Sequence, residues 1–515
     1  MIPDVVRRLR GRAIHVVGLS GTEGSAVVEF LLRCGLTNIT AHDLQTRETF
    51  PEAFRRTHEW LAPAEREAAL ARLLAAPIAL RFRDRYLEGM DRADLIYTTQ
   101  AWFRYPENAP VRQAREAGVP LSSMTALFFE TVPCPILGVT GTNGKFTVVH
   151  LAAAMLEESG RRVFVSGNDR THVPILYRLH EVTPDSILVL EISNRQLVGL
   201  PYSPQIAVIT NLAPHHLDDH GSFEAYVETK RGILAHQRAH DRAILNGDDP
   251  TTCALARGAP ARTLLWSRLR TLDEGGCVVD GQIVLRLDGR DEQVGPADLP
   301  VPGAHALENA LASALAARVA GASPAAIGTV LRRFRGLPYR LRLVAEIEGV
   351  RYYEDSLATN PAAAAAAVLA FDRPLVLLAG GQRPGATARD FRPVADALRR
   401  RPPRAVVVFG AMGPRIEEAI SETGGDVRVV RCETLDEAVA AAHALARPGD
   451  VVSLSPACES FDQFRDYRHR AERFCELVAV LQRGAAPGAG EPRAASRMTL
   501  ASETPRGHRV DEPWT

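Results

Sequence analysis

The sequence predicts an α/β protein with parallel sheets, and three observations carry that expectation. Short apolar runs rich in β-branched residues recur along the chain: AIHVVGL, PILGVTG, RVFVSGN, ILVLEIS, IAVITNL, PLVLLAGG, AVVVFGA and DVVSLSPA. Continuous rather than alternating runs mark strands buried on both faces. Helical stretches separate them, which is the rhythm of βαβ units. The chain has 515 residues, more than one hydrophobic core serves, so several domains are expected.

Composition narrows the partners. Lys and Arg number 61 and so do Asp and Glu, which gives no bulk charge for nucleic acid or an anionic membrane. No stretch approaches the roughly 20 apolar residues of a membrane helix. The seven cysteines are scattered without a CxxC pair, as in a reducing cytoplasm. The apolar stretch of MIPDVVRRLRGRAIHVVGLSG breaks at Gly18 and Gly21, so it reads as a first strand and not as a signal peptide.

Near the start of the chain, HVVGLSGTEGSAVVEFLLRCG followed by ITAHD gives a strand, glycines at 18, 21 and 24, a helix, and a second strand reaching Asp43. That is a Rossmann-like layout, compatible with a nicotinamide dinucleotide as well as with other nucleotides. FFETVPCPI and FRGLPYR break the pattern with Pro and Gly. They place three domains at 1–133, 134–336 and 337–483. Residues 484–515 turn to Ala, Gly, Pro, Ser and Arg without periodicity and read as a disordered tail.

The second domain opens on CPILGVTGTNGKFTVVHLAAAMLEESG. A strand runs into a glycine turn and then a helix with Val149, Ala152, Ala153 and Leu156 on one face. Backbone N–H groups and the positive end of the helix dipole meet at that turn, where a phosphate fits. Gly141 and Gly144 are free to take positive φ, and Lys145 adds a cation. The spacing departs from the common phosphate-loop pattern, with Val139 five residues before Gly144. Further along, RLRLVAEIEGVRYYEDSLATNP reads as a hairpin around Glu348-Gly349 and a polar loop.

GTNGK and its surroundings resemble the ATP loop of the Mur ligase family. The resemblance continues in order through LEISNRQL, TNLAPHHLDDHGSFEAYVETK, NGDDP, FRGLPYR, EDSLATNP and LSPACESFDQF, the last two being nearest to the glutamate-adding branch. It implies a Rossmann-like N-terminal domain holding the UDP-sugar, a central ATPase domain with a parallel sheet, and a Rossmann-like C-terminal domain. ATP then sits on Gly141, Thr142, Asn143, Gly144, Lys145, Phe146 and Thr147, with Arg340 and Asp355 reaching it from the third domain. Magnesium falls to Glu191, His216 and Lys230, the lysine as a carbamate bridging a second ion, and Lys145 joins these three in catalysis. Gly18, Gly21, Asp43 and Asn168 fall to the UDP-muramoyl substrate, and Thr359, Ser460 and Tyr467 to the amino acid.

The activity so implied is ATP-dependent joining of D-glutamate to UDP-N-acetylmuramoyl-L-alanine through an acyl phosphate. A cytoplasmic monomer is expected, with small-molecule substrates and neither nucleic acid nor membrane. Another amino acid such as L-glutamate, another acid acceptor, or a UDP-muramoyl-binding regulator stand as alternatives. The chain also departs from the family pattern. Phe146 stands at a hydroxyl position, Ala306 at an asparagine, Leu357 at a lysine, and Arg383 is the nearest cation where a lysine follows paired glycines.

Overall fold

The structure is a computed structural model describing residues 2–167, 173–214, 217–424 and 427–484. Among these residues the strands form three sheets. The first contains β1 (Ile14–Val17), β2 (Ile39–His42), β3 (Ala79–Arg81), β4 (Leu95–Thr98) and β5 (Leu121–Ser123). Their order is β3-β2-β1-β4-β5, every pair parallel. The chain switches sides between β1 and β4, so the loop after β1 opens where such sheets take ligands. Gly18 in that loop has φ +80°, and a Cβ on Gly24 would lie 2.3 Å from the Gly18 carbonyl oxygen. The helix Thr22–Arg33 is therefore seated against the strand end in a way that only glycine permits.

The second sheet runs β14-β13-β12-β11-β10-β9-β6-β8-β7. Its strands are β6 (Ile136–Thr140), β7 (Val163–Gly167), β8 (Ile187–Glu191), β9 (Ile206–Ile209), β10 (Arg242–Asn246), β11 (Arg262–Trp266), β12 (Gly275–Val279), β13 (Gln282–Leu287) and β14 (Arg290–Pro296). From β7 across to β12 the neighbours are parallel, and β13 turns antiparallel to β12. The helix Lys145–Glu158 leaves the end of β6. Its Val149, Ala152, Ala153 and Leu156 are buried, and so are Val148, Leu151 and Met155, so the sheet and its neighbours enclose it on more than one face.

The third sheet is β15 (Arg342–Ile347), β16 (Val350–Glu354), β17 (Leu375–Gly380), β18 (Ala405–Phe409), β19 (Val429–Arg431) and β20 (Val451–Ala457). Their order is β15-β16-β20-β17-β18-β19. β15 and β16 form an antiparallel hairpin, and the other neighbours are parallel. The hairpin turns through Glu348 and Gly349, at φ +49° and +78°, the left-handed pair a two-residue hairpin loop requires.

The molecule divides into two compact units. One holds residues up to Gly295 together with Asn309–Val330, and the other holds Pro296–Glu308 and the described residues from 331 to 484. In the first unit a single apolar core runs from Phe30 and Phe128 through Leu188 and Ile209, serving both of its sheets. In the second, Val368, Phe391 and Ile416 belong to one buried cluster, Val439, Leu454 and Phe474 to another. All seven cysteines are free thiols.

Candidate active site

At the end of β6 the chain turns through Gly141 and Gly144, at φ +142° and +82°, before the helix begins. A Cβ on Gly141 would lie 2.0 Å from Thr210 Oγ1, and one on Gly144 would lie 2.2 Å from Asn309 Oδ1. Both glycines are thus required by conformation and by space. The turn is stitched to the segment after β9. The Thr142 N–H donates to the Asn211 carbonyl at 2.8 Å, Asn143 N–H to Asn211 Oδ1 at 3.1 Å, and Thr210 Oγ1 to the Asn143 carbonyl at 2.5 Å. Thr142 Oγ1 in turn accepts from the Ala213 N–H at 3.0 Å.

Lys145 folds back over this turn, its Nζ donating to the Gly141 and Thr142 carbonyls at 3.0 and 2.9 Å. The ammonium therefore sits at the helix N-terminus, where an anion is already favoured. Phe146 turns away from that chemistry. Its ring packs on His150 at 3.9 Å between centroids, and its carbonyl lies 2.7 Å from His150 Nδ1. Thr147 is half-buried in the same helical turn.

Lys230 lies on the helix Phe223–Arg231, which Ser222 caps by accepting from the Ala225 N–H at 3.1 Å. Only 1% of it is exposed. Its Nζ donates to Thr140 Oγ1 at 2.8 Å, and Thr140 Oγ1 donates to the Ile192 carbonyl at 2.7 Å. Burial, reinforced by Lys145 and opposed by Glu191, holds the Lys230 ammonium well below the ordinary lysine range. Lys145 and Glu191 therefore both lie within electrostatic reach of Lys230. Glu191 is the last residue of β8 and is mostly buried, paired with Val139 on β6 and Gly167 on β7.

His216 and Asn168 lie outside the described residues. The segments around His216 and Glu191 are nonetheless joined. Asn194 Nδ2 lies 2.8 Å from His220 Nε2, and Arg195 Nη2 reaches Asp219 Oδ2 at 2.7 Å. The Asp219 carboxylate is buried, and Arg104 holds its other oxygen at 3.0 Å. Among the described residues no group of three or more His, Cys, Asp or Glu is disposed to hold a metal ion. One hard carboxylate beside a glycine cradle still suits magnesium, which completes its octahedron with phosphate and water oxygens.

At the first sheet, Asp43 is buried just past β2 with both oxygens engaged, accepting from the Ser20 N–H at 2.5 Å and the Gln45 N–H at 2.9 Å. It braces the glycine turn that holds Gly18 and Gly21. Glu23, in the next helical turn, accepts from the Gln100 N–H at 2.7 Å, and Gln100 Oε1 accepts from Ser193 Oγ at 2.8 Å. This relay runs from the first sheet to the loop after Glu191.

The remaining candidates belong to the second unit. Asp355 follows β16 and accepts from the Leu341 N–H at 3.2 Å and Ser455 Oγ at 2.9 Å. Burial pushes its carboxyl up to about 7, against those two bonds and the pull of the exposed Arg340. Thr359 lies half-buried in the turn after β16, Ser460 is buried after β20, and Tyr467 opens the helix Tyr467–Gly484 edge-on to Tyr339 at 5.3 Å. Thr210, Asn211 and Asn309 belong to the loop architecture although the sequence reading did not single them out. TNLAPHH and GAHALENA held the signal, as side chains that a glycine turn could meet.

A strand ending in a phosphate-type turn, a carboxylate on the neighbouring strand and a buried lysine make a site suited to the phosphates of a nucleotide. Two family models match in register with it: the Mur ligase middle domain over residues 139–317 and the Mur ligase, glutamate ligase domain over 339–458. The chain belongs to the Mur ligase family. The UDP-N-acetylmuramoylalanine–D-glutamate ligase of Pelotomaculum thermopropionicum is 35% identical over 94% of this chain and 100% of its own length. The protein of that name from Acidobacterium capsulatum is 37% identical over 93% and 98%. Among solved structures, UDP-N-acetylmuramate-alanine ligase of Thermotoga maritima superposes with TM-score 0.52 at 19% identity, covering 91% of this chain and 99% of its own. A pseudomurein peptide ligase type C from Methanothermus fervidus gives 0.51 at 18%, over 92% and 100%. These two likenesses speak for the fold.

Proposed function

We propose that the protein joins D-glutamate to UDP-N-acetylmuramoyl-L-alanine at the expense of ATP, as its relatives' names describe. The observation that carries this reading is Lys145 poised over the glycine turn within the electrostatic reach of Lys230, which also feels Glu191. A MurF ligase of Thermotoga maritima with this fold was solved with ADP, in keeping with a nucleotide here. The γ-phosphoryl group passes to the L-alanine carboxylate, giving ADP and an acyl phosphate. The glutamate amine then attacks the acyl carbon, the C–O bond to phosphate breaks, and the amine gives up its proton. Turn amides and Lys145 stabilise the charge on the transferring group.

Magnesium supplies further neutralisation of the phosphates when bound, with Glu191 and His216 the residues to hold it. Lys230 belongs here as a carbamate: burial disfavours its ammonium and so favours the amine form that captures carbon dioxide, while Thr140 Oγ1 orients the side chain. Residues 1–133 hold the UDP-sugar through the turn at Gly18 and Gly21 braced by Asp43, with Asn168. Residues 134–336 hold ATP, and residues 337–483 supply Arg340 and Asp355 for the nucleotide and Thr359, Ser460 and Tyr467 for glutamate. The chain works as a cytoplasmic monomer on small molecules. Among the described residues no helix is long and apolar enough to cross a membrane.

The test is ADP release in the presence of both substrates. Wild type releases ADP only when the muramoyl substrate is present, and Lys145→Ala loses this by about 10² or more. Absence of substrate-dependent release from wild type overturns the reading. The packing of Phe146 on His150 favours one second reading, a UDP-muramoyl-binding protein without turnover. Calorimetry separates the two, since that protein binds the UDP-sugar and not ATP with magnesium.

A further inference from the structure

Arg470, in the helix Tyr467–Gly484, has 0% of its surface exposed. A buried guanidinium is costly, and an apolar residue of similar volume is often the more stable choice. Here its donors go to backbone carbonyls. Nη2 donates to Ser356 O at 2.9 Å and to Cys458 O at 3.1 Å, and Nη1 donates to Glu459 O at 3.3 Å. Nε lacks a hydrogen-bond partner.

The three carbonyls sit on two separate loops. Ser356 follows β16, whereas Cys458 and Glu459 follow β20, the strand next to it. Glu459 O also accepts from the Gln382 N–H at 2.8 Å, just past β17 on the other side of β20. A Cβ on Gly381 would lie 2.2 Å from Glu459 O and 3.1 Å from Arg470 Nη1, so no other residue fits beside this junction. One side chain thereby ties the carboxyl ends of two adjacent strands, β16 and β20, and the Glu459 carbonyl carries the tie on to the segment after β17, at the edge where parallel sheets take ligands. Burial lowers its ionisation to about 10, which leaves it a cation at neutral pH.

We propose that Arg470 is a positioning residue for the incoming amino acid, setting the distance between the loop that carries Thr359 and the loop that carries Ser460. The inference rests on the ligase reading above and on the assignment of those two residues to glutamate. Arg470 touches no substrate. It bridges the two segments through their carbonyls, and a guanidinium reaches three carbonyls in a fixed fork where an ammonium offers a single point.

The test is steady-state kinetics of the full chain as wild type, Arg470→Lys and Arg470→Met, with each substrate varied in turn and acyl phosphate trapped by hydroxylamine when glutamate is omitted. For Arg470→Met the ratio kcat/KM for D-glutamate falls by about 10²-fold, the scale of a roughly 1 Å misplacement. The KM values for ATP and the UDP-sugar stay within about twofold, trapped acyl phosphate persists, and Arg470→Lys recovers about tenfold of the loss. A glutamate kcat/KM unchanged in Arg470→Met, a loss spread equally over all three substrates, or Arg470→Lys no better than Arg470→Met overturns the inference. Should Arg470→Met not fold, Arg470→Lys decides alone, and an unaltered glutamate KM in it overturns the inference. Wild type without glutamate-dependent ADP release overturns the ligase reading instead.

Discussion

Lys230 is a charge placed where charge is costly. With 1% of it exposed and a cation nearby, its ammonium form is disfavoured in the folded protein. Lys230→Met keeps the volume and removes that cost, while Thr140 Oγ1 keeps its bond to the Ile192 carbonyl. Thermal melting is expected to show Lys230→Met as stable as wild type or more so, with ADP release lost. Asp355 makes the same point with the opposite sign of charge. Its carboxyl rises from 3.8 to about 7, so the native state holds a proton that the unfolded state releases. Its contribution to stability therefore falls as pH rises through that window, by no more than about 4 kcal/mol. Asp355→Asn is expected to raise the melting temperature at pH about 8 and leave it unchanged at pH about 4, while nucleotide turnover drops. Gly144 is limited by space: Gly144→Ala adds left-handed strain of about 1–3 kcal/mol and a clash with Asn309 Oδ1. Calorimetry is expected to show ATP bound about tenfold or more weakly by that variant.

Elements connect these residues, and Thr140 is the joint between three of them. It closes β6, accepts from Lys230 on the helix Phe223–Arg231 and donates to the carbonyl just past β8. Thr140→Val leaves a buried amine without its acceptor and a carbonyl without its donor, at about 1–3 kcal/mol each. A lower melting temperature together with reduced kcat is the expected result, whereas Thr140→Ser keeps both. At this scale the sequence was informative where one element explains its own pattern. ILVLEIS places Glu191 at the carboxyl end of β8, and EIEGV closes the β15–β16 hairpin at the glycine. It was less informative where packing sets the role. The pattern around Lys230 reads as an exposed helical face, and only the sheet packed against it turns the lysine inward. The short strands β3 and β5 carry three residues each, too few to show a period.

At the scale of the molecule, what the sequence could not give was the meeting of distant segments. GTNGK announces a phosphate turn, but nothing in it says that Asn309 comes to rest against Gly144, or that Arg470 ties the loops after β16 and β20. Those pairings follow from strand order, which local periodicity does not encode. The same organisation predicts how ligands stabilise the protein. The first unit carries both the turn at Gly18 and the turn at Lys145, on sheets that share one apolar core. Each ligand that binds only the folded unit raises its stability by RT ln(1 + [L]/Kd), about 2.7 kcal/mol at a hundred times Kd. ADP with magnesium and the UDP-muramoyl substrate are therefore each expected to raise the melting temperature of wild type, and together to raise it further. In Lys145→Ala the nucleotide shift disappears and the UDP-sugar shift stays. Loss of both shifts in that variant would mean that the cation supports the fold of the whole unit, and that its bonds to the Gly141 and Thr142 carbonyls matter more than its charge.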